Sequence, residues 1–214
     1  MERRTERSLP EVQAHVDEVQ ARLGNSHPET LAAMLDLAEM LWARGRLSEA
    51  RRLEEHVVAV RERALGATHP DTLKALGKLA TTTGAQGELD AARTMQEHIV
   101  AHAPAAWGGE ARDTLRASNN LAGTVAAQGD FDGARALLET TIETMHRVLG
   151  AEDRDTLAAI ANLAALLWQF GERGEAYWLQ VQVVDASRRA RGEDDLATRA
   201  AVAILDAMQR DGMP

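Results

Sequence analysis

Residues 23–66 read LGNSHPETLAAMLDLAEMLWARGRLSEARRLEEHVVAVRERALG, and the stretch returns in altered form along most of the 214-residue chain. Gly stands at 24, 66, 108, 150 and 192, always 42 residues apart, and Thr at 30, 72, 114, 156 and 198 with the same spacing. A second Gly falls at 45, 87, 129 and 171, an Ala at 50, 92, 134 and 176, and the pair Leu-Ala at 37–38, 79–80, 121–122 and 163–164. Five columns in one register set the repeat length, and a fixed period of this size fixes an architecture before any local assignment is made.

Each unit reads as two helices. Leu31, Met34, Leu37, Ala38 and Leu41 have the spacing of one helical face. Ser26-His-Pro-Glu29 and Thr68-His-Pro-Asp71 resemble capping boxes with Pro in the first turn. The Gly45 column marks the helix end, where a left-handed residue stops the winding. A second helix runs from about Leu47 to Arg63 with Ala50, Leu53, Val57 and Val58 inward, ending near Leu65-Gly66. Small residues at Ala38 and Ala50 let the two helices approach closely. Helix pairs of this kind bury their open faces only against their neighbours.

The quoted stretch is similar to a tetratricopeptide repeat of the 42-residue kinesin light chain type, as are LGATHPDTL followed by KLA and NNLAGTVAAQGDFDGARALLETTIETMHRVLG. Departures are local: Ala111-Arg112 and Asp153-Arg154 replace His-Pro, and Trp107 and Arg191 replace the Leu before Gly. The resemblance implies an all-α fold of about ten helices, a right-handed superhelical solenoid of antiparallel pairs forming a single domain over residues 1–214. Four full repeats cover 24–65, 66–107, 108–149 and 150–191, with flanking helices in 1–23 and 192–214. The second repeat is the expected weak point, because Gly77 and Gly84 flank Thr81-Thr82-Thr83, and Pro104 is expected to truncate its second helix.

Composition narrows the function. The chain carries 24 basic and 33 acidic residues, a formal charge of −9, which disfavours coating nucleic acid or an anionic membrane. Aromatic residues are 3% of the chain and Ala is the commonest residue, which disfavours a β-sandwich or barrel and suits closely packed helices. The absence of Cys removes disulfides, thiolate metal sites and a Cys nucleophile. No apolar leader opens the sequence, and its longest nearly apolar run, Leu157–Trp168, is too short to span a bilayer. A cytoplasmic location is the expectation.

In the resembled family the first helix of each repeat lines a concave groove that binds extended or partly helical peptides. The corresponding positions here are Leu35, Asp36, Glu39 and Trp42 in the first repeat, and Lys74, Lys78 and Thr81 in the second. The third supplies Arg116, Asn119, Asn120 and Gly123, and the fourth Asn162, Ala165 and Trp168. Family members carry Asn just before Leu-Ala to grip a peptide main chain; Asn120 and Asn162 match that motif, and Asp36 and Lys78 do not. An amide donates and accepts at once, as a peptide backbone requires. The competing reading is that these Asn bond a neighbouring helix. Lys74 and Lys78 are the only lysines beside 22 Arg, lie i,i+4 on one helix face, and with Arg116 form a basic patch suited to acidic groups of a partner. The competing reading pairs them with Asp36 and Glu39. Trp42 and Trp168 share a column and read either as anchors for a partner or as packing on the next unit.

His98 and His102, four apart on a second helix, have zinc-chelating spacing without a third ligand type beside them, so no metal and no cofactor is expected. No phosphate loop, nucleophile elbow or paired carboxylates appear. The sequence therefore reads as a non-enzymatic peptide- or protein-binding scaffold. A stand-alone sensor acting on a separate signalling or transcriptional effector is the alternative, and a metal-binding or catalytic solenoid a minor one. Either terminal helix is free to pair with a second copy.

Overall fold

The computed structural model describes residues 8–212; residues 1–7 of the N-terminal flanking segment and Met213–Pro214 fall outside it. Among the described residues there are ten helices and no strand: α1 (Leu9–Leu23), α2 (Pro28–Trp42), α3 (Leu47–Leu65), α4 (Pro70–Ala85), α5 (Leu89–Trp107), α6 (Arg112–Ala127), α7 (Phe131–Val148), α8 (Arg154–Gln169), α9 (Arg173–Arg191) and α10 (Leu196–Arg210). Two compact units divide between His102 and Ala103, inside α5. The first stacks α1, α2, α3 and α4 in sequence order, and the second stacks α6, α7, α8, α9 and α10. Each is built by packing a helix on the next one along the chain, as the 42-residue period requires.

Proline sets the helix starts. Pro28 and Pro70 occupy the first turn and force the preceding residue into extended geometry, so His27 (φ −71°, ψ 138°) and His69 (φ −65°, ψ 141°) become the N-caps. The Glu29 N–H donates to His27 Nδ1 at 3.2 Å and the Asp71 N–H to His69 Nδ1 at 3.1 Å. The expected capping boxes at Ser26 and Thr68 are thereby corrected: the N-cap is the next residue, whose imidazole Nδ1 accepts from the backbone two residues on, as the Asp153 and Asp195 carboxylates do in the same column. Asp153 and Asp195 hold the same column in later units and cap α8 and α10 with their carboxylates, while Ala111 leaves α6 without a side-chain cap.

Glycine sets the ends. Gly45 (φ 75°) and Gly66 (φ 96°) lie in the left-handed region, and the Gly66 N–H closes the last turn of α3 on Glu62 O at 3.0 Å. One expectation fails here: α5 passes through Pro104 and ends only at Trp107. Proline has no N–H to give to the preceding turn, yet the helix continues for three residues beyond it, and its own carbonyl accepts from the Gly108 N–H at 3.0 Å.

The alanine columns explain the tight pairing. Ala38, Ala80, Ala122 and Ala164 of the first helices and Ala50, Ala92, Ala134 and Ala176 of the second expose no surface. The Thr column is buried throughout. Successive repeats are tied at their turn ends by arginine: Arg51 reaches Glu55, Gln86 and Glu88, and Arg135 reaches Glu139 and Glu172. Tyr177 takes that column in α9 and accepts from Gln209 Nε2 of α10 at 2.9 Å. A further column on the second helices, Glu54, Gln96, Leu138 and Gln180, is buried. Gln180 Nε2 donates to Ala201 O at 2.8 Å, whereas Glu54, 3% exposed, has an Oε2 with no partner. Burial pushes the Glu54 carboxyl up from its ordinary value, against the lowering effects of Thr82 and Lys78.

Candidate binding surface

The positions expected to face a groove fall on the first-type helices, and most are exposed. In the first unit Asp36, Glu39 and Trp42 of α2 and Lys74, Lys78 and Thr81 of α4 are exposed. Leu35 is the exception and is corrected: it is buried, at 8% exposure, and joins the apolar core instead of the exposed face. Lys78 Nζ donates to Glu39 Oε2 at 3.0 Å, an exposed ion pair of the kind the competing reading describes.

In the second unit α6 and α8 lie side by side and enclose a recess of about 470 Å³ lined by Arg112, Arg116, Asn119, Asn120, Arg154 and Asp155, among others. Arg112 is held by three bonds: Nη1 to Asp153 Oδ1 at 2.9 Å and Asp155 Oδ2 at 2.6 Å, and Nη2 to Asp153 Oδ2 at 2.8 Å. This guanidinium keeps the Asp153 carboxyl below its ordinary range, and the two aspartates push Arg112 higher still. Asp153 also accepts the Asp155 N–H at 2.9 Å, so one carboxylate both caps α8 and anchors the neighbouring helix. Arg116 stands 3.9 Å from Asp155 and is exposed. Arg154 is exposed and makes no ion pair among the described residues. Arg112 is thus neutralised by close contacts, Arg116 is only loosely paired with Asp155, and Arg154 is unpaired among the described residues.

The amides divide in the same way. Asn162 Nδ2 donates to Asn119 Oδ1 at 3.1 Å, a bond between α8 and α6 that fits the competing reading for Asn162. Asn120 is exposed beside the recess and makes no side-chain hydrogen bond among the described residues. Trp168 is half-buried with the Arg173 guanidinium 5.1 Å over its ring, while Trp42 is 43% exposed. Arg112, Arg154 and Asp155 were not singled out from sequence. The signal was present in the replacement of His-Pro by Ala-Arg and Asp-Arg, which exchanges a rigid helix start for a cation.

His98 and His102 stack at 4.4 Å between ring centroids, and His102 Nδ1 lies 2.8 Å from His98 O. Among the described residues no group of three His, Cys, Asp or Glu is placed to hold a metal ion. No helix among them is long and apolar enough to cross a membrane.

Two tetratricopeptide repeat models match the sequence, one over residues 30–71 and the other over residues 113–177. The chain belongs to the tetratricopeptide repeat family. Its repeats are of the kinesin light chain kind. A Podosopora anserina structure described as a kinesin light chain with nearly identical TPR-like repeats shares 28% identity at a TM-score of 0.67, over 86% of this chain and 87% of its own. A single-substitution variant of that protein gives 28% identity and a TM-score of 0.69, with 86% of each chain covered. BtubC (BKLC) from P. vanneervenii superposes with a TM-score of 0.71 over 100% of this chain and 95% of its own, at 17% identity, which speaks to the fold alone. No curated protein matches the chain significantly in sequence. Repeats of this family are typically protein–protein interaction scaffolds and are generally non-enzymatic, which gives the α6–α8 recess its context.

Proposed function

We propose that this tetratricopeptide repeat protein is a non-enzymatic scaffold that binds an extended or helical segment of a partner protein, with acidic groups, along its first-type helices. The observation that carries the reading is the α6–α8 recess, where Arg116, Arg154 and Asn120 present donors that no described residue of the chain takes up in a hydrogen bond. Arg116 and Arg154 supply charge for carboxylates. Asn120 supplies the paired donor and acceptor that a peptide main chain needs. Asp153 and Asp155 hold Arg112 in place and so preorganise the floor on which such a segment would lie.

Isothermal titration calorimetry with a synthetic glutamate-rich peptide tests the reading. Binding is expected to weaken as salt is raised, and the Asn120→Ala/Asn162→Ala double variant is expected to weaken it by about 10-fold or more. No binding at any salt concentration, or unchanged affinity in a folded double variant, overturns it.

A further inference from the structure

The last helix departs from the pattern of its predecessors. In the column where α2, α4, α6 and α8 bury Leu31, Leu73, Leu115 and Leu157, α10 carries Arg199. In the column of fully buried Ala38, Ala80, Ala122 and Ala164 it carries Asp206. A face with two charges at these places is not shaped to receive the second helix of another repeat. It is not a purely solvated face either. Leu196 is 74% exposed and Ile204 46% exposed, Ala200 and Ala203 are exposed, and Ala207 is half-buried. The opposite side of α10 is committed to the core, where Ala201 packs with Leu157, Ile160, Val183, Val184 and Ala186.

We propose that the exposed stripe of α10 is a self-association surface that pairs antiparallel with α10 of a second copy of this chain. Leu196, Ala200, Ala203 and Ala207 follow the 4–3–4 spacing of a two-stranded seam, and the alanines allow close approach of the backbones. Arg199 and Asp206 flank this seam on one side, seven residues apart, each just before a seam alanine. A two-fold axis close to Ala203 sets Arg199 of each copy against Asp206 of the other, so the surface is complementary to itself, as an isologous contact must be. Parallel pairing would instead set Asp206 against Asp211 and Arg199 against Ile204, which brings like charges together and leaves the arginine without a partner. Ile204 and Ala197 widen the apolar strip on the other flank of the seam. The charge pattern therefore selects both the occupant and its direction.

Sedimentation equilibrium on the full chain across a concentration series tests this. The wild type is expected to show a reversible monomer–dimer equilibrium. Ala203→Glu, whose side chain points to solvent in the monomer, is expected to raise the dimer dissociation constant about 100-fold with helix content and melting temperature unchanged. Arg199→Asp and Asp206→Arg are each expected to raise it about 10-fold, and the combined Arg199→Asp/Asp206→Arg chain to return within about 3-fold of wild type. A chain that stays monomeric up to about 1 mM overturns the proposal, as does a dimer indifferent to Ala203→Glu. A double charge swap that fails to restore association overturns the antiparallel register. Loss of glutamate-rich peptide binding on Ile204→Glu, without any dimer in the wild type, assigns the stripe to a partner segment and overturns self-association.

Discussion

In the first unit the exposed faces of α2 and α4 carry both signs of charge: Lys78 of α4 donates to Glu39 of α2, and Asp36 lies on the same exposed face. In the second unit the same columns carry Arg116, Asn119, Asn120 and Asn162, with Arg112 and Arg154 added one turn earlier. There close ion pairs take up Arg112, while Arg116 keeps only a 3.9 Å pair with Asp155 and both Arg116 and Arg154 are exposed. One backbone plan thus supports two surfaces, one of mixed charge and one rich in guanidinium and amide donors. The contrast teaches that the repeat fixes where a side chain stands, while the balance of charge between adjacent first helices decides whether it is available to a ligand.

The largest expected difference is in binding. Arg116→Ala combined with Arg154→Ala should weaken glutamate-rich peptide binding by about 10–100-fold in calorimetry, and Lys74→Ala combined with Lys78→Ala by less than about 3-fold. Equal losses from the two pairs would break the comparison. Next comes Glu54→Gln, which places in α3 the residue that Gln96 and Gln180 supply to the same column. Because burial raises the native carboxyl above its unfolded value, the penalty is full at pH values above the native pKa, shrinks as pH falls, and vanishes below the ordinary glutamate range. The variant should therefore gain about 1–2 kcal/mol at pH 7 in chemical denaturation, with the advantage closing by about pH 4.

Gly77→Ala should stabilise α4 by about 0.5–1 kcal/mol, since the added Cβ would meet only Ile99 Cδ1 at an ordinary 3.8 Å. Hydrogen exchange should show the wild-type α4 opening more readily than α6 and α8, with slower exchange in the variant. The smallest effect is expected from Lys78→Ala, whose exposed ion pair with Glu39 should contribute less than about 0.5 kcal/mol and fade with added salt. A larger loss would mean that the first unit depends on its own surface pairing.

The architecture was legible because its determinants are columns. A left-handed glycine at Gly45 or Gly66 and a fully buried alanine at Ala38 or Ala50 each demand one residue type, and the sequence repeats them. The cap at His27 was harder to read, since Ser26 and His27 both carry an acceptor and the backbone geometry decides which of them caps α2. Pro104 misled because helix breaking depends on how many turns remain to be lost. The recess was half legible. Arg116, Asn119 and Asn120, named from the sequence, line the recess, but the Arg112 contacts join residues 41 and 43 apart on different helices, and their geometry exists only after stacking. The Asn162–Asn119 bond illustrates the same limit, because a shared column suggested that Asn162 would act like Asn120.

The glycine column carries a consequence for how such a gene changes length. Recombination between two copies of the repeat at matching positions adds or removes 42 residues and leaves every left-handed turn, every helix cap and every alanine contact in phase. An insertion inside a helix that is not close to a whole number of turns rotates the rest of that helix, by about 100° per residue, and turns its alanines to solvent. Growth by whole repeats therefore keeps every column in place, and the loops between helices are where other lengths are most readily absorbed.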